Sequence, residues 1–490
     1  MRERPGPGRS RRRGLGGPPP EGVSAHDAAP FGWAPIVVLF LVGIVDRLES
    51  SVIAGVLPLI QQEWGVSDTW LGAIPTAAAI AGAIVTLPAG YVADRYNRTN
   101  LIAVVVAVWS LVTLGSALAI SFAMFFATRV VLGAADSIDN PAGSSVLADT
   151  YPPLTRARVF GWQRLTTYAG MGLGVIIGGV VGEAFGWRWA FGVMVVPGLV
   201  VAWLCWILRE PVRGFLDQVV AAGTDERHPV PAGPDDEARS LRERLTGRAR
   251  DRDDASDARQ RLAQQLDFRQ QLRDVARIPT LRLLCVGLTA MGLGLSGIIY
   301  WLPTLLARAF ELGEARAGTI AGGLGILGVV GGVSYGGRLG RLWHTTRQGG
   351  RMLAGGGGLL LGAALLGLSL LVDALLPFAL LLLVAFFLMA ISIPNLTACV
   401  ADVIISSSRG IGFALIQFLV TLGGAFGPLI VGLVSDATGS LRTAMYALVV
   451  PQLLGALLII HGRRHFDRDA GLVLDQARAQ GPVGGEQAEP

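Results

Sequence analysis

Lysine is absent from this chain, and cysteine and histidine are scarce. All 41 positions counted as lysine or arginine are arginine, beside three cysteines and five histidines. The cysteines fall in separate apolar runs, so their spacing indicates neither a disulfide framework nor a metal site. The histidines lie in polar stretches or at the ends of apolar runs. Any proton chemistry inside a membrane would therefore fall to aspartate or glutamate.

Two further absences exclude classes of function. The chain has no P-loop of the kind that holds nucleotide phosphates, which excludes an ATP-driven pump within this chain. Its apolar runs hold no His/Asp metal cluster and no nucleophile–histidine pair, so a membrane enzyme fits the sequence poorly. We expect no catalytic residues, no metal and no cofactor.

Charge is scarce as well. Charged residues make up 16% of the chain, whereas about 25% is usual in soluble domains. Hydrophobic residues make up 52%, and much of the charge is crowded into the two ends and one central stretch. The excess of arginine sits beside apolar runs, so the basic balance does not indicate a nucleic-acid partner. The composition predicts an all-α polytopic membrane protein.

Apolar runs long enough to span the hydrocarbon layer recur twelve times, since such a span needs about 20 residues. Glycines are frequent in several runs, as at Gly170, Gly174 and Gly178, which predicts close helix packing. The predicted helices lie near 34–57, 71–91, 100–120, 122–143, 159–182, 188–208, 280–302, 316–337, 352–372, 375–398, 410–434 and 441–461.

Arginine is concentrated in one alternate set of the connections between these runs. Because arginine favours the cytoplasmic side, both termini are predicted to be cytoplasmic, in a multi-pass protein of the inner or plasma membrane. We interpret the long polar stretch as a solvated linker; the alternative is a surface helix that contacts lipid or a partner. The expected domains are a disordered cytoplasmic tail over 1–32, a six-helix bundle over 33–208, a cytoplasmic linker loop over 209–277, a second six-helix bundle over 278–462 and a cytoplasmic tail over 463–490.

An internal repeat divides the chain into two halves. The pattern Pro-x6-Ala-Asp-x6-Arg begins at Pro141 and recurs from Pro394, at the end of the fourth predicted helix of each half. Four fixed residues at identical spacing indicate duplication. The chain is therefore predicted to form two six-helix bundles related by an internal repeat.

A short charged stretch separates two apolar runs at 90–99, with the sequence Gly-Tyr-Val-Ala-Asp-Arg-Tyr-Asn-Arg-Thr. We interpret Asn97 as a turn residue that tolerates left-handed backbone angles. The stretch resembles the signature loop between the second and third helices of the major facilitator superfamily, which usually has glycine at the position of Asn97. The resemblance implies a secondary transporter that works by alternating access.

Charges at the predicted cytoplasmic helix ends form a candidate gate, since opposite charges can pair when the bundles close on that side and separate when they open. The alternative is ordinary charge that only orients the helices. The candidate gate residues are Gly90, Asp94, Arg95, Arg98, Asp149, Arg156, Asp402 and Arg409.

Charges inside the first and fourth predicted helices form a second group. Charges in hydrocarbon are costly and normally face a cavity and pair with one another. The repeat places apolar residues at the corresponding positions of the second half, which favours a functional role over a structural ion pair. Arginine can hold an anionic group in bidentate fashion, and Asp46 and Asp136 are the candidate proton carriers. The candidate substrate-binding residues are Arg47, Glu49, Arg129, Asp139, Asn140, Tyr300 and Asn395.

Two of these candidates have competing interpretations. Tyr300 and its neighbour Trp301 are more typical of the aromatic belt at the membrane interface, which we favour for them. Asn395, next to Pro394, either lines a cavity or caps a kink.

The first half also resembles the Spinster-type branch of the superfamily. The likeness rests on Asp-Arg at 46–47, Arg-x6-Asp at 129–136, Asn-Pro at 140–141, Ala-Asp to Arg at 148–156 and Glu-Pro-x-Arg-Gly at 210–214. Spinster proteins usually have glutamate at the aspartate of the second pair. The resemblance implies transport of lysolipid-like or sphingoid lipids.

We therefore predict a proton-coupled secondary transporter of an amphiphilic anionic or zwitterionic solute such as a lysolipid. It is expected to act as a monomer, with the solute, protons and membrane lipids as its partners. The alternatives are a symporter for organic anions such as sugar acids, a multidrug efflux transporter, and a transporter-like membrane receptor.

Overall fold

The computed structural model describes residues 32–95, 97–151, 153–208, 268–405 and 408–479, and their regular structure is helical. Within some helices only the backbone belongs to the described part, as over 86–95. The predicted N-terminal tail and most of the predicted linker loop lie outside the described residues.

The described residues form fourteen helices. The first six are α1 (Ala34–Trp64), α2 (Asp68–Arg95), α3 (Arg98–Ala117), α4 (Phe122–Thr150), α5 (Pro153–Phe185) and α6 (Trp187–Ile207). The others are α7 (Phe268–Arg277), α8 (Pro279–Phe310), α9 (Glu314–Thr346), α10 (Gly350–Ser369), α11 (Leu375–Ala390), α12 (Ser392–Asp402), α13 (Arg409–Thr438) and α14 (Leu441–Ala479).

Ten segments of the described chain are long and apolar enough to cross a membrane, with α11 and α12 counted together as one. Helices α1 and α4 are equally long, but each carries three charges in its central part. With α1 and α4 added, the total is consistent with the twelve predicted spans. The all-α polytopic class is confirmed.

Several helices end later than predicted. Helix α1 continues past Pro58 to Trp64, α8 past Pro303 to Phe310, and α14 to Ala479. The predicted ends at 57, 302 and 461 are wrong because hydropathy marks where a chain stops being apolar, whereas a helix can continue into water. The span predicted over 375–398 is interrupted at Ile391, since Pro394 cannot donate to the carbonyl four residues earlier.

The described helices divide into two compact units. The first contains α1–α6 together with residues 299–326, from the end of α8 and the start of α9. The second contains the remainder of α8 and α9 with α7 and α10–α14. Each has its own core of buried aliphatic and aromatic side chains. The predicted domain boundaries stay a prediction, since these units group residues by packing rather than by duplication.

Helix α5 packs directly on the backbone of α1 through its glycines. A methyl group at Gly174 would overlap the carbonyl of Leu48, and one at Gly178 would overlap the carbonyl of Val52. Small residues at such contacts let two helix backbones approach closely. The close packing predicted from the glycine pattern is confirmed for α5 against α1, the helix that carries Asp46, Arg47 and Glu49.

We expect Gly174→Ala to lower the thermal unfolding midpoint in detergent, because the added methyl meets backbone that cannot move aside. Overpacking of this kind costs about 1–3 kcal/mol. Gly192→Ala in α6 is the matched control, since nothing lies within 4 Å of a methyl group there. Alanine is the better helix former, so the control variant should be unchanged or slightly more stable. Equal midpoints for both variants would contradict the packing account.

The signature stretch at 90–99 is mostly helix rather than loop. Residues 90–95 complete α2, and Asn97 caps α3 with φ −62° and ψ 118°. The side-chain oxygen of Asn97 accepts from Asn100 N at 2.9 Å and from Thr99 Oγ1 at 2.9 Å. The prediction that Asn97 adopts left-handed angles is wrong: asparagine stands here because its oxygen satisfies a free N–H at the helix start.

The cap predicts how Asn97 tolerates substitution. Asn97→Ala should reduce the free energy of unfolding by about 1 kcal/mol, whereas Asn97→Gly should reduce it by only a few tenths. Thermal unfolding of the three proteins in the same detergent checks this order. If glycine destabilised as much as alanine, the side-chain hydrogen bond would not account for the position.

Candidate functional site

Helix α1 carries an ion pair near its middle. Asp46 Oδ2 lies 2.7 Å from Arg47 Nη2. The Asp46 side chain is buried, whereas 34% of the Arg47 side chain is exposed. A guanidinium that is partly exposed and beside a carboxylate can still bind an anionic group in bidentate fashion. Arg47 is therefore the more accessible of the two predicted cationic residues.

Arg129 is the second cationic residue, and it is buried inside the first unit with 4% of its side chain exposed. Its Nε and Nη2 both donate to Ser116 Oγ on α3, at 3.2 and 2.5 Å. The hydroxyl of Thr128 lies 2.7 Å from the same oxygen. The guanidinium carbon lies 4.8 Å from the ring centroid of Phe191, a favourable contact for a desolvated cation. Hydroxyl groups and an aromatic face thus hold this buried charge.

Glu49 lies one turn beyond Asp46 and faces Arg129. The distance from Glu49 Oε1 to Arg129 Nη2 is 3.9 Å, and Glu49 is 2% exposed. That separation is too long for a hydrogen bond, and Glu49 Oε1 has no hydrogen-bond partner among the described residues. An ionised carboxylate in such a place is costly, because removing a charge from water costs several kcal/mol. Glu49 is therefore a candidate proton carrier.

A polar face of α3 borders this pair and was missed by sequence reasoning. Trp109, Thr113 and Ser116 recur at helical spacing on one side of α3. Trp109 Nε1 and Thr113 Oγ1 are buried without a hydrogen-bond partner in the described part of the chain. Trp109 belongs to the same core as Val45, one turn before Glu49. The spacing of polar residues in an otherwise apolar helix was the available signal.

The remaining charges of α4 are only partly described. Asp136 lies close enough to Arg129 to attract its charge electrostatically. The side chains of Asp139 and Asn140 lie outside the described residues. The described part of the chain contains no group of three or more His, Cys, Asp or Glu side chains placed to hold a metal ion.

Tyr300 and Trp301 lie inside the protein rather than in an aromatic belt. Tyr300 is 8% exposed and Trp301 is fully buried. The Tyr300 hydroxyl donates to the carbonyl oxygen of Leu71 at 2.8 Å, which ties α8 to α2. The favoured interface-belt interpretation is wrong, because the phenol finds its partner in a neighbouring helix instead of at the lipid surface.

Asn395 holds the kink between α11 and α12. Its Nδ2 donates to Ile391 O at 2.8 Å and to Gly336 O on α9 at 2.9 Å. The first bond is made to Ile391, the residue at which the helix is interrupted. Of the two interpretations offered by the sequence, the structure supports the kink; a role in substrate binding stays a prediction.

The candidate gate residues are described in part. Arg98 is buried at the start of α3, rather than exposed in a loop. Asp402 lies 2.6 Å from Arg351 of α10, a partner that the repeat did not suggest. The side chains of the other candidates lie outside the described residues: Gly90, Asp94, Arg95, Asp149, Arg156 and Arg409.

A charged cluster joins α8 to α1 and α2 at the end of the first unit where α1 finishes. Arg308 donates to both oxygens of Asp68, at 2.8 and 2.6 Å, and to Gln61 Oε1 at 2.5 Å. Gln61 Nε2 in turn donates to Asp68 Oδ1 at 2.8 Å. Sequence reasoning missed this cluster, although Arg308 stood out in a set of connections with little arginine.

A second pair lies at the same end. Arg188 binds both oxygens of Glu63 at 2.7 Å, and Trp187 Nε1 donates to Glu63 Oε2. Glu63 lies beyond the apolar run that ends at residue 57, and the hydrogen bond from Arg188 lowers the pKa of its carboxyl. The stabilisation from a lowered carboxyl pKa is complete above its ordinary value of 4.5 and is lost as the pH falls below it.

The sequence profile of the Major Facilitator Superfamily matches residues 39–428, which is most of the chain. The chain belongs to the Major Facilitator Superfamily. Members of this family are membrane transporters. The family membership predicted from the stretch at 90–99 is therefore confirmed. The protein is accordingly a multi-pass membrane protein of that family.

The predicted likeness to Spinster proteins is confirmed as well. The chain is 31% identical over 189 residues to Protein spinster homolog 1 of Xenopus laevis, a match that covers 37% of this chain and 36% of that protein. The match thus spans about a third of the relative's length. A Hexuronate transporter of Bacillus subtilis is 29% identical over 178 residues, covering 36% of this chain and 42% of that protein.

A solved structure supports the same fold independently. The chain superposes with a TM-score of 0.72 on a bacterial homolog of the human lysosomal transporter Spinster, in an inward-facing and unoccupied conformation. The alignment covers 89% of this chain and 97% of that chain at 20% identity. At that identity, the likeness establishes the fold but gives no information about the substrate.

Proposed function

We propose that this protein is a proton-coupled secondary transporter in which Glu49 carries the proton and Arg47 contacts an anionic group of the solute. The observation that carries the proposal is the buried Glu49–Arg129 pair, whose carboxylate oxygen lies 3.9 Å from the guanidinium and lacks a hydrogen bond. This assignment moves the proton from Asp46 and Asp136, the carriers predicted from the sequence, to Glu49. Asp46 is already engaged in an ion pair with Arg47 at 2.7 Å, whereas Glu49 Oε1 has no hydrogen-bond partner among the described residues.

Coupling between proton and solute follows from the spacing along α1. Glu49 lies three residues after Asp46, so the two side chains are neighbours on α1 with their Cβ atoms about 5–6 Å apart. Asp46 in turn pairs with Arg47 at 2.7 Å, which links the charge of Glu49 to that of Arg47. At that separation two unit charges interact by on the order of 3 kcal/mol at an effective dielectric constant of about 20. A proton on Glu49 therefore raises the affinity of Arg47 for an anion, and by linkage the anion raises the affinity of Glu49 for a proton.

The proposed solute is an amphiphile with an anionic or zwitterionic head, such as a lysolipid. The likeness to Spinster proteins supports this class. The positions of the second half that correspond to Arg129 and Asp136 are Leu382 and Met389, which are apolar and buried. An anionic head would thus find its charged partners in the first half alone.

A sugar acid is the second candidate, because the Hexuronate transporter is a relative of similar identity. Both solute classes present a carboxylate or phosphate to Arg47. We further propose that the protein lies in the cell membrane with both termini on the cytoplasmic side, from the distribution of arginine. From the family resemblance we propose that it acts as a monomer.

Proton movement in liposomes containing the purified protein tests the proposal. A pH dye is trapped inside, and lysophospholipid or a sugar acid is added under an imposed proton gradient. The protein and its Glu49→Gln variant are compared, since lysolipids perturb bilayers and only a signal absent from the variant counts. Coupled flux with lysolipid alone supports the first candidate, and coupled flux with the sugar acid alone supports the second. If neither solute produced coupled proton flux, proton-coupled transport of both solute classes would be contradicted.

A further inference from the structure

Two arginine-rich stretches lie side by side at one end of the second unit. One runs from the last turns of α9 into α10, over 338–351, and the other is in α14, over 461–469. Gly349 N donates to Asp467 Oδ1 at 3.2 Å, and a methyl group at Gly349 would lie 2.9 Å from the Cβ of Arg463. The turn between α9 and α10 therefore rests on α14, which brings the two stretches together.

Among the described residues, carboxylates do not balance the charge of this cluster. The two stretches contain seven arginines and two aspartates. Asp467 accepts from Gly349 N, and Asp469 accepts from Thr280 N at 3.0 Å, so both carboxylates serve to cap backbone N–H groups. Arg351 is paired with Asp402. Six exposed arginines remain, without a carboxylate partner among the described residues: Arg338, Arg341, Arg347, Arg463, Arg464 and Arg468.

Exposed apolar side chains adjoin the arginines on α9. Tyr335 is 48% exposed and Leu342 is 65% exposed. They follow a spacing of three and four residues around Arg338, so all three lie on one face of the helix. Trp343 adds an aromatic ring 4.5 Å from the guanidinium of Arg347. The surface of α9 thus presents arginine side chains next to exposed apolar side chains, which the acyl chain of a lipid can cover.

We propose that this arginine cluster, formed by the six residues above, binds the phosphate head groups of anionic phospholipids in the adjacent leaflet. Guanidinium groups match phosphate in bidentate fashion. Basic residues at the surface of an anionic leaflet each contribute about fivefold in binding. Arginines that serve only to orient helices need no common surface, whereas these lie on two stretches that meet at Gly349, and the two aspartates of the stretches accept hydrogen bonds from backbone N–H groups.

Purified protein in a neutral detergent provides the test, with thermal unfolding measured against added lipid. Phosphatidylglycerol, phosphatidylcholine and inorganic phosphate are titrated separately. Two double variants, R338Q/R341Q and R463Q/R464Q, remove charge from α9 and α14 independently. The matched control is R316Q/R442Q, which makes the same change at exposed or half-exposed arginines elsewhere in α9 and α14.

The expected result is that phosphatidylglycerol raises the unfolding midpoint and the other two additions do not. Each double variant should weaken the half-maximal phosphatidylglycerol effect by at least about tenfold, and the control should keep it. Equal protection by phosphatidylcholine or by inorganic phosphate would overturn the proposal, as would unchanged titrations for both double variants. If one pair impairs folding, the pair on the other helix makes the same measurement. The outcome does not depend on whether the protein transports protons.

Discussion

Glu49→Gln should lower proton-driven solute flux in liposomes by at least about tenfold, since it removes the group that exchanges a proton next to the anion-binding arginine. Glutamine keeps the size of the side chain and mimics the neutral form. Solute exchange in the absence of a proton gradient should therefore persist, because Arg47 and its partner Asp46 are unchanged. A loss of coupling with retained exchange is the result expected of a proton carrier.

Glu63→Gln is the control for this variant. It makes the same chemical change on the same helix, but at its exposed end, where the carboxylate binds Arg188. Proton-driven flux of the control should stay close to that of the unmodified protein. If Glu49→Gln kept full proton-driven flux, the proton would have to reside elsewhere, and Asp136 would become the leading candidate. Loss of exchange together with coupling would instead indicate a structural or solute-binding role.

Arg129→Met should destabilise the protein by about 3–5 kcal/mol, because removing one partner of a buried charge pair leaves the other without compensation. The variant also leaves Ser116 without the donor that it now accepts from. Thermal unfolding in detergent measures the loss. Flux should fall as well, since Glu49 could no longer alternate between a paired charged form and a neutral form.

The double variant Glu49→Gln/Arg129→Met separates the contribution of the charge pair to stability from the contribution of side-chain packing. With both charges removed, much of the stability lost in Arg129→Met should return, because the glutamine has no charge to leave buried. Arg129→Lys is the conservative comparison: it keeps the charge but cannot reproduce the two bonds to Ser116 and the contact with Phe191. Additive losses in the double variant would contradict coupling between the two residues.

The helices of this fold were predictable because the membrane imposes a simple rule on composition. A run of about 20 apolar residues matches the thickness of the hydrocarbon layer, and a charge within such a run is conspicuous. The charged residues of α1 and α4 were therefore found from the sequence. The glycines of α5 were equally informative, since close approach of two helix backbones leaves no room for a side chain at Gly174.

What the sequence left open depends on packing between distant elements. Glu49 was grouped with the solute-binding residues because nothing in its neighbours shows that it faces Arg129 rather than Arg47. Ser116 and Thr113 are ordinary residues in an apolar helix until α4 is placed beside them. Asp402 was assigned to the repeat pattern, whereas its partner Arg351 comes from α10.

The most direct measurement is the number of protons that enter liposomes with each solute molecule, compared between the unmodified protein and Glu49→Gln. The solute is the one that gives coupled flux in the liposome assay. The account predicts that proton entry accompanies solute flux in the unmodified protein and is lost in the variant, while solute exchange continues. Solute flux without proton movement in the unmodified protein would contradict it, as would an unchanged ratio of protons to solute in Glu49→Gln.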